Sequence, residues 1–340
     1  MTRTVSIKAA GPGVSIQDQG RPGFLSFGVS QGGAIDQRAL WEGAALLRQS
    51  EDLAVIEMAG LGGEFVASED LVIALTGAEM RASIAGDPLL WNASHRLPKG
   101  AVLAIAGVTR GSYGYLHFEG GIAIPQEMGS RSTHLAAGIG RALQAGDTVP
   151  VGPANSSATP NMTLTASTRL GGGSVRVVPS LQTHLFATSE ITRFEDTMFT
   201  RGQRGNRMGV AMASHGPGFA AEAGRSILSE VIVPGDIQIT GDGTPYVLMC
   251  ECQTTGGYPR IGSVLPTDLP IVAQAQPGMP LRFTFVTLED AVAIELRDRQ
   301  QRADLKKTLR PLIRDPRDIP DLLSHQLISG AVAAELDTPK

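Results

Sequence analysis

Leu71-Val72-Ile73-Ala74-Leu75-Thr76-Gly77 is a short apolar run that ends in glycine, and similar runs recur along the chain. Residues 101–107, 175–179 and 281–286 are three more of them, each next to a glycine or proline. Runs this short between turn residues are typical of strands in an all-β barrel or sandwich. The chain has 41 glycines in 340 residues, which suits a fold with many tight turns. The sequence therefore predicts a mainly β fold.

The two halves of the chain carry matching glycines at a nearly constant offset. Gly100 and Gly235 are 135 positions apart, and Gly121 and Gly257 are 136 positions apart. This repeated spacing indicates a duplicated β unit. Between the halves, residues 152–161 are rich in Ser and Pro, as linkers are. We predict a first domain at 1–152, a linker at 153–164, a second domain at 165–300 and a C-terminal helical tail at 301–340.

A few segments have the pattern of short helices. Residues 36–47 start with an acidic N-cap candidate and place apolar side chains on one face. Residues 288–309 carry apolar side chains at intervals among charges. After Pro311 the helical pattern restarts at 318–323, and residues 327–332 form a short apolar element that is expected to dock.

The composition excludes several classes of protein. A net charge of −4 lacks the excess of Lys and Arg that a nucleic-acid interface needs. The chain has no apolar run of membrane-spanning length and no signal-peptide pattern, so we expect a cytoplasmic protein without a membrane segment. Cys250 and Cys252 are too few for a zinc site, and the six histidines are scattered, so we expect buried thiols and no metal.

Two glycine motifs match known site patterns but lack the context that those sites need. Gly28-Val29-Ser30-Gln31-Gly32 matches G-x-S-x-G, but a nucleophile elbow needs a helix directly after Ser30, and the helical pattern begins only at Asp36. Gly171-Gly172-Gly173 precedes a predicted strand rather than a helix, so we interpret it as a turn. The sequence also lacks a P-loop pattern.

Three loops combine glycine with polar side chains and are candidate ligand sites. They lie at residues 16–23, 129–141 and 253–260. Glycine lets backbone N–H groups approach a ligand, and arginine grips a carboxylate or phosphate. The alternative is that these loops are tight turns whose polar groups cap one another. The candidate substrate-binding residues in them are Arg21, Arg131, Arg141, Gln253, Thr254, Thr255 and Tyr258.

At these loops the sequence resembles the carboxyltransferase-like family of allophanate hydrolase subunit 2, urea carboxylase and the C subunit of bacterial 5-oxoprolinase. The matches cover almost the whole chain. They include Ser15-Ile16-Gln17-Asp18-Gln19-Gly20-Arg21-Pro22-Gly23, Gly129-Ser130-Arg131-Ser132-Thr133, Arg207-Met208-Gly209, Pro234-Gly235-Asp236-Ile237-Gln238 and Gln253-Thr254-Thr255-Gly256-Gly257-Tyr258-Pro259. The sequence departs from the family pattern at Gly43-Ala44, where Ala-Asn is usual, and at Ala211, where a basic residue is frequent.

The resemblance implies a fold and a set of partners. The fold is two cyclophilin-like β-barrel domains related by internal duplication, with a few short helices. The partners are a companion protein of the subunit 1 type, equivalent to the B subunit of 5-oxoprolinase, and a further subunit of the LamB/YcsF type. The active site is expected in a cleft shared with a partner.

The resemblance also implies a subunit of an ATP-dependent hydrolase of cyclic amides, with 5-oxoproline as the leading substrate and activity only in the complex. Arg131 or Arg141 would hold a carboxylate or phosphate. The amides of Gly256 and Gly257 would stabilise the oxyanion, and Asp18 or Asp268 would orient water.

Two other functions are kept as alternatives. One is biotin-dependent carboxyl transfer to urea or a related amide, with biotin supplied in trans. The other is non-catalytic regulation of a histidine-kinase inhibitor.

Overall fold

The computed structural model describes residues 3–165, 168–222, 224 and 227–312. Strands make up 37% and helices 20% of the structure, so the predicted mainly β fold is confirmed. None of the helices in the described ranges is long and apolar enough to cross a membrane.

The first half of the chain builds most of an eleven-stranded sheet around its own apolar core. Its strands are β1 (Thr4–Ala10), β2 (Ser15–Gln17), β3 (Val55–Ala59), β4 (Gly63–Ala67), β5 (Leu71–Ile84), β6 (Asp87–Pro88), β7 (Ala93–Leu97), β8 (Val102–Phe118), β9 (Thr148–Pro150) and β10 (Met162–Thr163). The long strands β5 and β8 lie at the centre of this sheet. The apolar run at residues 71–77 forms the first half of β5.

The second half contains a closed barrel of seven strands. In chain order the strands of this half are β11 (Gly173–Val178), β12 (Phe199–Gly205), β13 (Gly209–Ala213), β14 (Glu230–Val231), β15 (Asp236–Ile239), β16 (Pro245–Leu248), β17 (Thr255–Gly256), β18 (Arg260–Val264) and β19 (Pro280–Phe285). The order around the barrel is β11-β18-β15-β16-β13-β12-β19, and a parallel pairing of β11 with β19 closes it. Strands β14 and β17 form a separate two-stranded ribbon.

Two glycine pairs, with one member in each half of the chain, share a left-handed backbone conformation just before a strand. Gly100 and Gly235 have φ angles of +75° and +99°, each just before a strand. Gly146 and Gly278 have φ angles of +95° and +86°, again each before a strand. A left-handed φ favours glycine, so the turn geometry itself preserves these positions.

Four α-helices lie within the described ranges. They are α1 (Gln37–Leu46), α2 (Thr188–Asp196), α3 (Leu269–Gln274) and α4 (Leu288–Asp304). The predicted helix at 36–47 is α1, and the Asp36 carboxylate accepts from Ala39 N at 3.2 Å as its cap. The predicted helix at 288–309 is α4 followed by a short 3₁₀ turn, Leu305–Thr308. The predicted elements at 318–323 and 327–332 lie outside the described residues.

The segment predicted as a linker is attached to the first sheet. Asn155 Nδ2 donates to Leu47 O at 2.8 Å, and β10 then pairs with β7. A final short strand, β20 (Arg310–Pro311), pairs with the other edge of β10. The chain after α4 therefore returns from the barrel to the first half.

The packing of His117 against α1 accounts for glycine at position 43, where the family pattern has alanine. A Cβ at this position would lie 2.1 Å from the imidazole ring of the fully buried His117. Thr76 Oγ1 donates to Ala39 O at 2.9 Å and lies 2.8 Å from His117 Nε2. Burial lowers the pKa of His117 to about 3, so the ring is neutral at physiological pH. Glycine is needed here because the ring occupies the place of a side chain.

A buried ion-pair network joins the two halves. Arg207 Nε donates to Glu251 Oε1 at 2.6 Å, and its Nη1 pairs with Glu57 across the domain interface. Glu57 also accepts from Tyr115 Oη at 2.7 Å and from Ile35 N at 2.9 Å. Every oxygen of Glu57 is thus bonded, which offsets the cost of burying this charge.

Candidate functional site

Asp18 holds the backbone of the loop that contains Ser130 and Ser132. Its carboxylate accepts from Gly20 N at 2.8 Å, Ser130 Oγ at 2.6 Å, Arg131 N at 2.6 Å and Ser132 Oγ at 2.5 Å. Three of these bonds end on Oδ1 and one on Oδ2, so both oxygens of the carboxylate are engaged. The structure thus places Asp18 as a fixed support of the 130–132 loop.

Arg21 lies in the interior behind the same loop and is 1% exposed. Its Nη2 donates to Ser132 O, while Nε and Nη1 have no acceptor among the described residues. Burial lowers the pKa of Arg21, and the nearby Asp18 carboxylate counteracts this.

Arg131 and Arg141 line one cavity of about 280 Å³, which we call the loop cavity. Arg141 donates to both carboxylate oxygens of Asp147 at 2.7 Å, and this pairing lowers the pKa of Asp147 to about 2. Arg131 Nε donates to Ile124 O at 2.7 Å, and the side chain forms no ion pair with a described residue. Of the two arginines, Arg131 is therefore the one with charge available to a ligand.

Asp268 lies in a different place, at the edge of the barrel. It accepts from Arg176 N and Nε at 2.8 Å each and from Arg176 Nη2 at 2.5 Å. Both residues line a cavity of about 520 Å³ between the first half, the barrel and α4, which we call the arginine cleft.

The 253–258 loop borders a third cavity, on the outer wall of the barrel. Along β15 and β16, Ile237, Ile239 and Val247 point into the barrel core. The alternate residues of these strands therefore face outward. The outward-facing residues Gln238, Tyr246 and Leu248 line a cavity of about 310 Å³, which we call the wall cavity. Other residues of its lining are Asn206, Met208, Ile232, Cys252, Gln253 and Tyr258.

Gln238 is the unusual member of the wall cavity. It is 7% exposed, and its amide Nε2 has no acceptor in the described part of the chain. A Cβ on Gly256 would lie 2.5 Å from this nitrogen. Gly256 therefore leaves room for the Gln238 amide. A buried N–H without an acceptor costs about 1–3 kcal/mol, which marks the group as a candidate ligand contact.

The β14–β17 ribbon that covers Gln238 is fixed by Arg260. Its Nη2 donates to Glu230 Oε2 at 2.7 Å, and its Nη1 donates to Val231 O at 2.9 Å. Nη1 also lies 3.1 Å from the carboxylate of Asp236, at the start of β15. The ribbon and the barrel wall are thus joined through one guanidinium, which keeps Gly256 in place beside Gln238.

Arg204 supplies positive charge at the edge of the wall cavity. It is exposed, lines the cavity and lies over the ring of Tyr246, with its guanidinium carbon 5.8 Å from the ring centre. The sequence-based prediction missed Arg204 and Gln238. Gln238 stands inside one of the matched motifs, but its alternation with Ile237 and Ile239 is that of an ordinary outward-facing residue.

The described lining of the wall cavity contains neither a carboxylate nor a histidine, and its titratable groups besides Arg204 are Tyr246, Tyr258 and Cys252. The Cys252 thiol has a pKa raised to about 12 by burial, so it stays protonated at neutral pH. The described ranges also contain no group of three or more His, Cys, Asp or Glu that could hold a metal.

Ser30 in the G-x-S-x-G motif faces His134 but is not set up as a nucleophile. Ser30 Oγ lies 2.9 Å from His134 Nε2, while His134 Nδ1 accepts from Ala137 N at 3.1 Å. The proton of the neutral ring is therefore on Nε2, which donates to Ser30 instead of accepting its proton. Helix α1 begins only at Gln37, which agrees with the sequence-based interpretation.

The structure brings some of the predicted site residues together and separates others. Gln253 and Tyr258 line the wall cavity, and Thr254, Gly256 and Gly257 lie in the same loop. Thr255 is exposed on the ribbon. The remaining candidates lie elsewhere: Arg131 and Arg141 in the loop cavity with Asp18 and Arg21 behind it, and Asp268 in the arginine cleft.

Comparison with known proteins gives consistent relationships. Residues 27–285 match the family model described as carboxyltransferase domain, subdomain A and B. The chain is 34% identical over 305 residues to the C subunit of 5-oxoprolinase from Escherichia coli, covering 88% of this chain and 96% of the relative. It is 25% identical over 316 residues to the urea amidolyase of Saccharomyces cerevisiae, covering 86% of this chain and 17% of that much longer protein.

A solved structure has the same fold. The urea amidolyase of K. lactis matches with a TM-score of 0.80 and 23% identity, over 92% of this chain and 21% of that protein.

Proposed function

The chain belongs to the carboxyltransferase domain family of subdomains A and B, and on that basis we propose that it is the C-type subunit of a 5-oxoprolinase. The observation that carries the proposal is the 34% identity to a protein of that name over nearly the full length of both chains. In this role the chain acts with a B-type companion and a LamB/YcsF-type subunit. The complex converts 5-oxoproline to glutamate with ATP.

The wall cavity is our proposed binding site for the lactam. Its volume of about 310 Å³ accommodates a small cyclic amide. The lactam oxygen would accept from Gln238 Nε2, a buried donor in the wall cavity without an acceptor among the described residues. The substrate carboxylate would pair with Arg204, which supplies positive charge near the position where Ala211 replaces the family's frequent basic residue. Gln253 and Tyr258 complete the described edge of the site.

The proposed reaction has three steps. The lactam oxygen attacks the γ-phosphorus of ATP, and ADP leaves. Water then adds to the activated ring carbon, and the C–N bond of the ring breaks, with the nitrogen taking up a proton, to give an acyl phosphate. A second water hydrolyses this acyl phosphate to glutamate and inorganic phosphate. Gln238 holds the lactam oxygen, and the backbone of Gly256 and Gly257 lies beside it.

We propose that a companion protein supplies the carboxylate or histidine for proton transfer. The described wall cavity has donors and one cation but no carboxylate or histidine to move a proton. We therefore propose that the chain is active only in the complex.

Co-expression with its companion proteins tests the proposal. The purified complex should form glutamate from 5-oxoproline only when ATP is present, and the chain alone should form none. ATP hydrolysis that depends on urea, bicarbonate and a biotinylated partner, with no glutamate formed, would instead assign the chain to biotin-dependent carboxyl transfer.

A further inference from the structure

We propose that the loop cavity binds an α-amino acid with an apolar side chain, as a zwitterion. The proposal goes beyond the proposed function, because the loop cavity and the wall cavity share no lining residue. All of the loop cavity's lining residues lie between Ile16 and Val149, in the first half of the chain. Its volume of about 280 Å³ holds one amino acid of moderate size.

One wall of the loop cavity is apolar. Ile16, Leu143 and Val149 are buried members of the core of the first half, so this wall is closely packed. An aliphatic side chain against it leaves water favourably, whereas a polar side chain there loses its hydration. The apolar lining as a whole consists of Ile16, Ile124, Pro125, Ile139, Leu143 and Val149.

The hydroxyl protons of three lining residues are already used within the loop. Ser130 Oγ and Ser132 Oγ donate to the Asp18 carboxylate at 2.6 and 2.5 Å. Thr133 Oγ1 donates to Arg141 O at 3.4 Å. These hydroxyls fix the loop, so the charged side chains of the lining are left to recognise the charged ends of a ligand.

The lining has two positive and two negative side chains, and one of each sign is available. Arg141 donates to both carboxylate oxygens of Asp147 at 2.7 Å, so this pair is closed. Arg131 uses Nε for Ile124 O, and its Nη1 and Nη2 have no acceptor among the described residues. Glu127 is exposed, and its carboxylate forms no hydrogen bond or ion pair within the described chain.

A tight turn at residues 127–130 brings these two charges to the same rim of the cavity. Glu127 N donates to Ser130 O at 2.8 Å, and Ser130 N donates to Glu127 O at 3.2 Å. Glu127 therefore lies beside Ser130, directly before Arg131. The Arg131 side chain runs back along the same segment, because its Nε reaches Ile124 O at 2.7 Å.

The charge balance favours a zwitterion over a simple anion. The Arg131 guanidinium suits a carboxylate, and the Glu127 carboxylate suits an ammonium group. A carboxylate ligand without an ammonium group would bind Arg131 but would also face the negative charge of Glu127. An α-amino acid satisfies both charges and places its side chain toward the apolar wall.

The test measures the dissociation constants of L-valine, L-leucine and L-methionine for the purified full chain by titration calorimetry. We expect Arg131→Gln and Glu127→Gln each to weaken binding of the tightest of the three by about tenfold or more. Arg81→Gln is the control, because Arg81 is exposed and does not line the cavity. This control should bind like the unmodified chain.

Ile139→Trp tests the cavity without changing any charge. Its larger side chain should occupy the space against the apolar wall and abolish binding of all three amino acids. The melting temperature of each variant, measured alongside, shows whether the protein is folded. The Ile139→Trp result therefore stands even if Arg131→Gln disturbs the loop.

Two analogues of leucine test the assignment to a zwitterion. Isocaproate keeps the side chain and carboxylate, and isopentylamine keeps the side chain and amine. Each should bind about tenfold more weakly than L-leucine, or worse. An analogue that binds as tightly as L-leucine overturns the zwitterion.

Three results overturn the site itself. They are no binding of any of the three amino acids, full affinity in folded Ile139→Trp, and unchanged affinity in both charge variants. The assay contains neither ATP nor 5-oxoproline, so its result leaves the proposed function to its own test.

Discussion

The glycine pairs at corresponding places in the two halves are glycines for different physical reasons. Gly120 and Gly121 both have left-handed φ angles, of +81° and +67°, and a Cβ on Gly120 would lie 2.3 Å from Pro153 O. Gly256 instead lies in the short strand β17, and a Cβ there would meet the amide of Gln238. The first pair is required by the backbone, whereas Gly256 makes room for a polar group.

The Gly120–Gly121 turn and the surroundings of Gly256 also differ in their hydrogen bonds. Gly120 N donates to Gln49 Oε1 at 3.0 Å, and the carbonyl of Gly121 accepts from Gly152 N at 2.8 Å. Beside Gly256, the Gln238 Nε2 has no acceptor among the described residues. The first turn satisfies its own polar groups, whereas the Gln238 donor has room for a ligand or a water as its acceptor. The duplicated element thus serves the fold in one half and, in our account, a ligand in the other.

Gly120→Ala should give the largest effect, on stability. The substitution adds left-handed strain and a clash with backbone, which together should lower the free energy of unfolding by about 2–4 kcal/mol. Gly129→Ala is the control, since Gly129 has a similar φ of +79° but open space around a Cβ. Chemical denaturation of both variants measures the difference. Equal losses of stability in the two variants would show that the clash with Pro153 does not contribute to the destabilisation.

Gly256→Ala should act on activity instead. The new methyl group displaces the flexible end of Gln238, so the melting temperature should change little. The complex should lose about tenfold in kcat/KM, the equivalent of roughly 1–2 kcal/mol for one misplaced hydrogen bond. If Gly256→Ala instead loses much of its stability and the folded fraction keeps normal kinetics, Gly256 is required by the fold, as Gly120 is.

Arg131→Ala should have the smallest effect on catalysis. Arg131 lies in the loop cavity, away from the described lining of the wall cavity. Loss of its bond to Ile124 O should lower stability by about 0.5–1.5 kcal/mol and leave kcat/KM for 5-oxoproline unchanged. If kcat/KM collapses while the protein remains fully stable, the substrate anion binds in the loop cavity and the wall cavity is not the site.

The β class and helix α1 could be predicted because their signals are local. The run at 71–77 and the Asp36 cap each lie within one element. Helices α2 and α3 were missed. Helix α3 has only six residues, and α2 buries only Phe194, so neither shows a clear apolar stripe.

The site could be predicted only in part, because only its local signals are visible in the sequence. The glycines of the 253–258 loop are visible in the sequence as an unusual density of turn residues. The burial of Gln238 cannot be read from the sequence, because it depends on a ribbon formed by residues 230–231 and 255–256. That ribbon is in turn held by Arg260, through contacts to Glu230 and Asp236 that only the folded chain creates.

Gln238→Met tests whether the unpaired amide in the wall cavity contacts the substrate. The change keeps a similar volume and removes a buried donor without a partner, so the melting temperature should hold or rise. Gln274→Met is the contrast. That amide is also buried but donates to Asp36 Oδ2 at 2.7 Å and to Tyr113 O at 2.9 Å, and its loss should lower the melting temperature.

The decisive measurement is kcat/KM for 5-oxoproline in the complex that carries Gln238→Met, taken together with the melting temperature of the same variant. We expect a fall of about tenfold or more in kcat/KM, from roughly 1–3 kcal/mol of lost transition-state binding, with no loss of stability. Unchanged kcat/KM together with a lower melting temperature would contradict it, because Gln238 would then be a structural amide like Gln274.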